Sequence, residues 1–157
     1  MLPPYTGHAV ELFDDAIEPQ AVGMELETGR NPKGDPVLRE RTQVADAVVR
    51  VRITTVTGRA DEGAATYMLG FHVVDQIAGK HPPPADFQIK LGPRAPANGI
   101  VKNFEDRLVT MKLTFLAFVR GFAKPDDPDG EIHFHLSPDT KEVLAAVMEA
   151  ATLAELK

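Results

Sequence analysis

The pattern of apolar and polar residues changes near residue 47, and from there it predicts a series of β-strands. In the first strand, apolar residues alternate with a second set that includes Arg50 and Arg52, which gives the strand an apolar and a basic face. Alternation also predicts a second strand at residues 66–73 and a third at residues 87–91. Gly70 inside the second strand predicts a bulge or a bend.

A short helix, two further strands and a final helix are predicted after these. Apolar residues at helical spacing place the short helix at residues 100–108. Residues 112–122 form a strand that is apolar on both faces, so we expect it to be central and covered on each side. The final helix or the N-terminal residues are expected to cover Leu116 and Phe118. Alternation predicts the last strand just before Ser137, the predicted N-cap of the final helix.

Residues 1–46 differ from the rest of the chain in charge and in pattern. They carry nine acidic and four basic residues, whereas residues 47–157 carry fourteen and thirteen. One apolar stripe at residues 10–17 predicts a short helix that Pro19 ends. We interpret residues 1–46 as an N-terminal arm that packs on a core formed by residues 47–157, the two making a single structural domain. A disordered tail is the alternative interpretation.

The order of the predicted elements resembles that of the OB-fold. Three strands, a helix, two strands and a C-terminal helix are typical of this five-stranded Greek-key barrel, which has a helix between strands three and four. The expected fold class is therefore mainly β (α+β), with an OB-like barrel preceded by the arm with its short helix.

Within that group, the chain resembles the netrin-like and metalloprotease-inhibitor-like OB domains of envelope and secreted proteins. Their barrel starts with a strand similar to residues 48–52, and a strand similar to residues 115–120 comes late. Their inhibitory N-terminal cysteine is missing here, so the resemblance implies no inhibitor activity. The whole chain also resembles uncharacterised bacterial envelope proteins of the predicted lipoprotein type, which implies a place in the cell envelope.

Composition excludes several classes of function. The 157 residues include no cysteine, which excludes disulfide scaffolds, cysteine nucleophiles and thiolate zinc sites. The one serine, Ser137, is followed by Pro138, which leaves little room for a serine hydrolase. The net charge of −6 argues against nucleic acid as the main partner. No apolar run approaches the roughly 20 residues that span a bilayer, so no membrane span is predicted.

Two histidines on the last predicted strand are candidate metal ligands. His133 and His135 are two residues apart, so both project from one face of the strand. Such a pair suits zinc, copper or nickel when a third ligand joins it, and His72 could be that ligand if a barrel brings it close. The alternative is that the histidines simply point into solvent. We expect no cofactor, with zinc or another transition metal as the alternative.

Arg50, Arg52 and His72 are candidate ligand-binding residues, because a polar face of the early strands commonly carries the ligand contacts of an OB barrel. With nearby lysines they could bind an anionic polymer, although exposed aromatic residues for base stacking are missing. Asp14 and Asp15 diverge on the predicted helix, so they form no acid–base couple and are expected to be solvent-exposed. No catalytic residue is predicted.

These observations favour a non-catalytic binding or assembly module of the bacterial cell envelope, with a protein partner there. A homodimer through an exposed edge strand, or through the face of Leu116 and Phe118, stays open. The expected location is periplasmic or outer-envelope, with the targeting signal outside this chain, and cytoplasmic as the alternative. The alternative functions are a transition-metal-binding protein, a small hydrolase or lyase with a His–carboxylate site, and an oligonucleotide or oligosaccharide binder.

Overall fold

Six β-strands form one mixed sheet in the part of the chain that a computed structural model describes, residues 2–24, 32–61 and 64–156. The strands are β1 (Ala16–Ile17), β2 (Ala47–Asp61), β3 (Ala64–Gly79), β4 (Asp86–Leu91), β5 (Thr114–Lys124) and β6 (Asp127–Pro138). The helices are α1 (His8–Leu12), a short 3₁₀ helix (Pro19–Val22), α2 (Pro36–Val44), α3 (Asn98–Phe104), α4 (Arg107–Thr110) and α5 (Lys141–Glu155). No helix among these residues is long and apolar enough to cross a membrane.

The strand order β1-β6-β5-β2-β3-β4 places β5 and β2 in the middle of the sheet. β2, β3 and β4 form an antiparallel meander, β5 and β6 form a hairpin, and β2 pairs with β5. The five strands predicted from alternation are confirmed, as is the helical segment between the third and the fourth. The bulge is also confirmed, because the register shifts between Ile53 and Thr55, where Gly70 pairs with Thr55.

The sheet is not closed into a barrel. Closure of the five predicted strands would require the outer strands β4 and β6 to pair with each other. Among the described residues β4 pairs with β3, and the outer edge of β6 is taken by β1, which runs parallel to it. The mainly β, α+β class is therefore confirmed, whereas the five-stranded OB-like Greek-key barrel is not.

Apolar layers cover both faces of the sheet. One layer joins the sheet to α3 and α4 through the fully buried side chains of Val101 and Leu108. The other joins it to the arm and to α5, and its members are Leu12, Phe13, Leu38, Val48, Leu116, Phe118, Phe122, Val143, Ala146 and Val147. Both the final helix and the arm thus supply the cover that β5 was predicted to need. Since Leu116 and Phe118 are buried within the chain, their face is not a surface for a second copy.

The start of the arm turns back onto the sheet instead of continuing as a helix. The apolar stripe at residues 10–17 predicts one helix, but α1 ends at Leu12 and Ala16–Ile17 forms β1. Asp15 makes the turn with a left-handed φ of 55°. Its backbone N–H donates to the carbonyl of Phe134 at 2.8 Å. The parallel pairing of β1 with β6 therefore follows directly from this turn.

Two helices on the same face of the sheet begin at side-chain caps. Asp35 caps α2 by accepting hydrogen bonds from two backbone N–H groups of the first turn. Thr140 caps α5 and accepts from the N–H of Val143 at 3.2 Å. The prediction that Ser137 is this cap is wrong, because β6 continues to Pro138 and leaves Ser137 in the strand. Its hydroxyl is therefore available to another group.

Candidate functional site

Three polar side chains of β6 point toward the layer formed by the arm and α5. His135 lies directly opposite Phe118 of β5, so both side chains share a face. Strand alternation puts His133 and Ser137 on that same face. The prediction that the two histidines share a face is confirmed. The alternative that they point into solvent is wrong, because their side chains are only 14% and 8% exposed.

His135 lies between two carboxylates of the arm. Its Nδ1 lies 2.9 Å from Oδ1 of Asp14, and its Nε2 lies 2.9 Å from Oε2 of Glu18. Because ionised carboxylates only accept hydrogen bonds, both ring nitrogens donate. The same oxygen of Glu18 accepts a hydrogen bond from the hydroxyl of Ser137. An imidazole that donates from both ring nitrogens is the charged imidazolium. The β1–β6 pairing brings these partners together, because Asp14 and Glu18 flank β1.

The charges of His135 and Glu18 stabilise each other. Burial disfavours the charged imidazole, but hydrogen bonds to Asp14 and Glu18 outweigh it and raise the pKa of His135 above its ordinary 6.5. Burial also disfavours the carboxylate, but hydrogen bonds from His135 and Ser137 outweigh it and hold the pKa of Glu18 below its ordinary 4.5. Both shifts favour the ion pair over its neutral form near neutral pH.

Arg41 of α2 brings a second cation to the same place. Its side chain is buried, its Nε–H donates to the carbonyl of Leu12 at 2.6 Å, and its guanidinium carbon lies 5.8 Å from the ring centre of Phe118. No group of the described residues accepts a hydrogen bond from its two terminal nitrogens, which are open to solvent. Burial lowers the pKa of Arg41, while the charges of Asp14 and Glu18 oppose this effect. The group stays a cation.

A cleft of about 500 Å³ opens above these groups, where the arm, the end of β6 and the start of α5 meet. Its inner part is lined by the buried residues Leu38, Arg41, His135, Ser137 and Val143. Its outer part is lined by Glu18, Pro19, Gln20, Pro32, Asp35, Val37, Pro138 and Thr140. A cleft of this volume with apolar walls and a few convergent polar groups is typical of small-molecule sites.

His133 forms a separate cluster outside the cleft lining. Its ring nitrogens donate to Asp15 at 2.7 Å and to Glu131 at 2.9 Å, and the ring of Tyr5 stacks on it at 3.5 Å between centroids. Burial disfavours the charged ring, but the hydrogen bonds to both carboxylates outweigh it and raise the pKa of His133. The hydroxyl of Tyr5 donates to the carbonyl of Phe13. The cluster fastens the arm to β6.

The three histidines considered as metal ligands do not come together. His72 lies on β3, and β5 and β2 separate that strand from β6. The residue of β3 across the sheet from His135 is Ala78, and His72 lies about 20 Å further along the strand. Within the described ranges, no group of three or more His, Asp or Glu side chains has the arrangement of a metal site. Metal binding by His133 and His135 stays a prediction.

The predicted ligand-binding residues lie on a different part of the same face. Arg52 and His72 are directly opposite each other in the register of β2 and β3. Arg50 donates to Asp139 at 2.9 Å and to Asp75 at 3.1 Å, so nearby carboxylates balance its charge. The structure therefore brings the three predicted residues onto neighbouring strands, but none of them lines the cleft.

Sequence reasoning missed the charged partners that the arm supplies, among them Glu18 and Arg41. The expectation that Asp14 and Asp15 are solvent-exposed carboxylates is wrong, because each binds a histidine of β6. These hydrogen-bonded partners are 117 to 121 residues apart, so no local motif connects them. The sequence did contain one signal. Since β5 was expected to be covered on both faces, a strand paired with it would also have covered faces, and polar side chains on such a face need charged or polar partners.

The free energy of unfolding should fall as the pH rises above about 6.5, because the carboxylates around His133 and His135 stabilise the charged form of each ring. The pKa values of His133 and His135 are raised, so their contribution is complete below 6.5 and is lost as the pH passes through the folded-state pKa. Urea unfolding from about pH 6 to about pH 9 measures this slope. A His133→Gln/His135→Gln variant should lose most of it. A slope equal to wild type in this variant would contradict the prediction.

Comparison of the sequence with protein-family models found no match, and comparison with curated proteins found no significant match. Function is therefore inferred from the geometry and chemistry of the cleft, since a fold by itself does not determine an activity.

Proposed function

We propose that this chain is a non-catalytic binding module that takes a small ligand into the cleft between the arm, β6 and α5. The observation that carries the proposal is the buried guanidinium of Arg41, whose terminal nitrogens have no acceptor among the described residues and open toward the cleft. These nitrogens reach solvent in the cleft although most of the Arg41 side chain is buried, so their N–H groups are available to the acceptor atoms of a ligand without the loss of a protein partner. The His135–Glu18 pair holds the cleft in shape.

The hydrogen bonds around Ser137 argue against a hydrolase or lyase that would use it with His135. A general base needs a free nitrogen lone pair, but both ring nitrogens of His135 donate to carboxylates. Ser137 donates to Glu18, and the lowered pKa of Glu18 makes it a weak base. These groups stabilise each other's charges and leave no activated nucleophile.

The cleft lining supports binding of a small organic molecule. Apolar side chains on α2 and α5, with several prolines, provide walls on which an apolar ligand body can be buried. The inner part places the polar groups of Arg41, His135 and Ser137 close to the apolar side chains, and such a combination can fix a ligand's orientation. Because α2 packs against α5, through Gln43 donating to the carbonyl of Ala150 at 3.2 Å, the two walls are held together.

Fragment screening by NMR tests the proposal without assuming a ligand. Mixtures of small acids, amines and neutral aromatics are added to the labelled full chain, and amide shifts are mapped. We expect some fragments to shift amides around Arg41 and Ser137 and to be recovered chemically unchanged. Fragments that shift no cleft amide would contradict the proposal, as would conversion of a fragment to product.

A matched pair of variants shows whether the fragments occupy the cleft. Val37 lies at its mouth and Val74 lies on β3 outside it, and the two side chains are 44% and 50% exposed. Val37→Trp should fill part of the cleft and weaken fragment binding about tenfold or more, whereas Val74→Trp should leave it unchanged. Equal effects of the two substitutions would place the binding elsewhere.

The envelope location and the OB relationship remain part of the proposal. They are supported by the resemblance of residues 48–52 and 115–120 to strands of OB domains, and by the meander–helix–hairpin order of β2 to β6. A protein partner there stays a prediction without an assigned surface. Immunoblotting of fractionated native cells tests the location, and a signal confined to the cytosolic fraction would contradict it.

A further inference from the structure

The groups that line the cleft indicate the chemical class of its ligand. The inference about that class rests on the proposed binding function. We infer that the ligand is a monocarboxylate on an apolar body, with its carboxylate on the terminal nitrogens of Arg41 and its body against the walls of α2 and α5. Three observations lead to it: the donors that Arg41 leaves unused, the charges around them and the apolar walls.

The unused donors of Arg41 match a carboxylate. A guanidinium has five N–H donors in a fixed planar fork, and here the Nε–H is used by the carbonyl of Leu12 at 2.6 Å. That bond and the ring of Phe118, 5.8 Å from the guanidinium carbon, fix the plane of the fork. The two terminal nitrogens remain, and a planar pair of oxygens accepts from such a pair bidentately.

The charges around Arg41 favour a singly charged acid over a phosphate. The negative charges of Asp14, Glu18 and Asp35 all stabilise the cation of Arg41. Among the described residues that line the cleft, His135 is the one other cation. His135 is already held between Asp14 and Glu18. A dianionic phosphate would meet about twice the repulsion from these carboxylates that a monocarboxylate meets, while a monocarboxylate still offers the two oxygens that fit the fork of Arg41.

The walls supply burial for the rest of the ligand. Leu38 and Val143 are buried in the inner part, next to Arg41, and Val37 continues the apolar surface to the mouth. Each CH₂ of an apolar body that is buried here is expected to tighten binding about fourfold. Neither a compact polar acid nor a sugar would use this surface.

Titration of the wild-type chain with octanoate, octanol, octylamine and octyl phosphate tests the inference, with affinities from calorimetry. We expect octanoate to bind about tenfold or more tightly than octanol and octylamine, because hydrogen bonds between charged groups discriminate by that much. We also expect it to bind more tightly than octyl phosphate, whose second negative charge is repelled by the carboxylates around Arg41. Equal binding of octanol, or tighter binding of octyl phosphate, would overturn the inference. No variant is needed for this result, so it does not depend on the folding of a mutant.

Variants then assign the preference to Arg41. Arg41→Gln should remove the difference between octanoate and octanol, and Arg41→Lys should keep part of it because a single ammonium retains the charge without the fork. Arg39→Gln, on the exposed side of the same helix, is the matched control and should bind like wild type. A preference for octanoate that survives Arg41→Gln would overturn the assignment.

Further titrations identify the source of the acid and distinguish a wrong ligand class from the absence of a binding site. An acetylated apolar tripeptide with a free C-terminus is titrated beside octanoate, and its C-terminal amide serves as the control. Tighter binding of the peptide acid than of octanoate would indicate that a peptide C-terminus is the source of the carboxylate. If neutral or cationic fragments occupy the cleft and carboxylates do not, the binding function stands and the ligand class is wrong. If no compound shifts a cleft amide, both fail.

Discussion

Replacement of His135 by leucine is expected to lower the unfolding free energy by about 3–5 kcal/mol. The imidazolium sits between Asp14 and Glu18, and its side chain is only 8% exposed. Leucine keeps much of the volume but removes the positive charge, so two carboxylates face each other in a half-buried space with one counter-charge fewer. Urea unfolding at neutral pH measures the loss.

His72 provides the matched control for this prediction. It also lies on a strand and also pairs with a carboxylate, Asp86, at 2.9 Å, but the two side chains are 39% and 78% exposed. Exposed pairs contribute little, so His72→Leu should change stability by less than about 1 kcal/mol. Similar losses in His72→Leu and His135→Leu would mean that the cluster around His135 is no more important than a surface pair.

A compensating variant separates the charge effect from packing. Neutralising the partners in Asp14→Asn/Glu18→Gln/His135→Leu should recover part of the stability lost in His135→Leu, because no unbalanced carboxylate is left in the site. A further loss instead of a recovery would show that the carboxylates stabilise the fold through contacts other than His135. The amide of Glu18→Gln can still accept from Ser137, so that hydrogen bond is kept.

The strands and their faces could be predicted from the sequence because they depend on local alternation. Arg50 and Arg52 lie on one face of β2, and the residues that alternate with them lie in the opposite core. β5 is apolar on both faces and is covered on both, by α5 and the arm on one side. Alternation specifies these features strongly, since a shift of one residue would move a whole apolar set into solvent.

Closure of the sheet and the cleft could not be predicted from local pattern. β1 has only two residues, Ala16–Ile17, too few for alternation to reveal, and it occupies the edge of β6 that a barrel would have used. The two carboxylates that bind His135, those of Asp14 and Glu18, lie on either side of that short strand. Their positions therefore depend on the pairing of residue 16 with residue 135. These residues are far apart in sequence, so a local pattern of apolar and polar residues cannot predict their pairing.

The start of the final helix shows the same limit at a finer scale. Ser137, followed by proline and aspartate, has the pattern of an N-cap, and Thr140 three residues later is also a capping residue type. Pairing of β6 with β5 extends to Pro138, so α5 begins only after this residue and Thr140 is its N-cap. Tertiary pairing thus overrides local preference, and the hydroxyl of Ser137 becomes a partner of Glu18.

Phe118→Ala is the second substitution with a large expected effect, about 3–5 kcal/mol of unfolding free energy. The ring is fully buried between the sheet and α5, and it lies 5.8 Å from the guanidinium carbon of Arg41 and 6.2 Å from the ring of His135. Its removal leaves a cavity beneath both cations. Arg41 then loses the surface that fixes the plane of its fork, so octanoate binding should weaken together with stability.

Phe104 is the matched control, because the guanidinium carbon of Arg107 lies 4.7 Å from the centre of its ring. Unlike Phe118, Phe104 is only half-buried. Phe104→Ala should cost less than Phe118→Ala and should leave octanoate affinity unchanged, since Phe104 does not line the cleft. Phe118→Leu refines the comparison, as it restores much of the apolar volume but not the flat face under Arg41. If Phe118→Leu recovers stability but not affinity, the ring orients the guanidinium; if both recover together, the ring acts through packing alone.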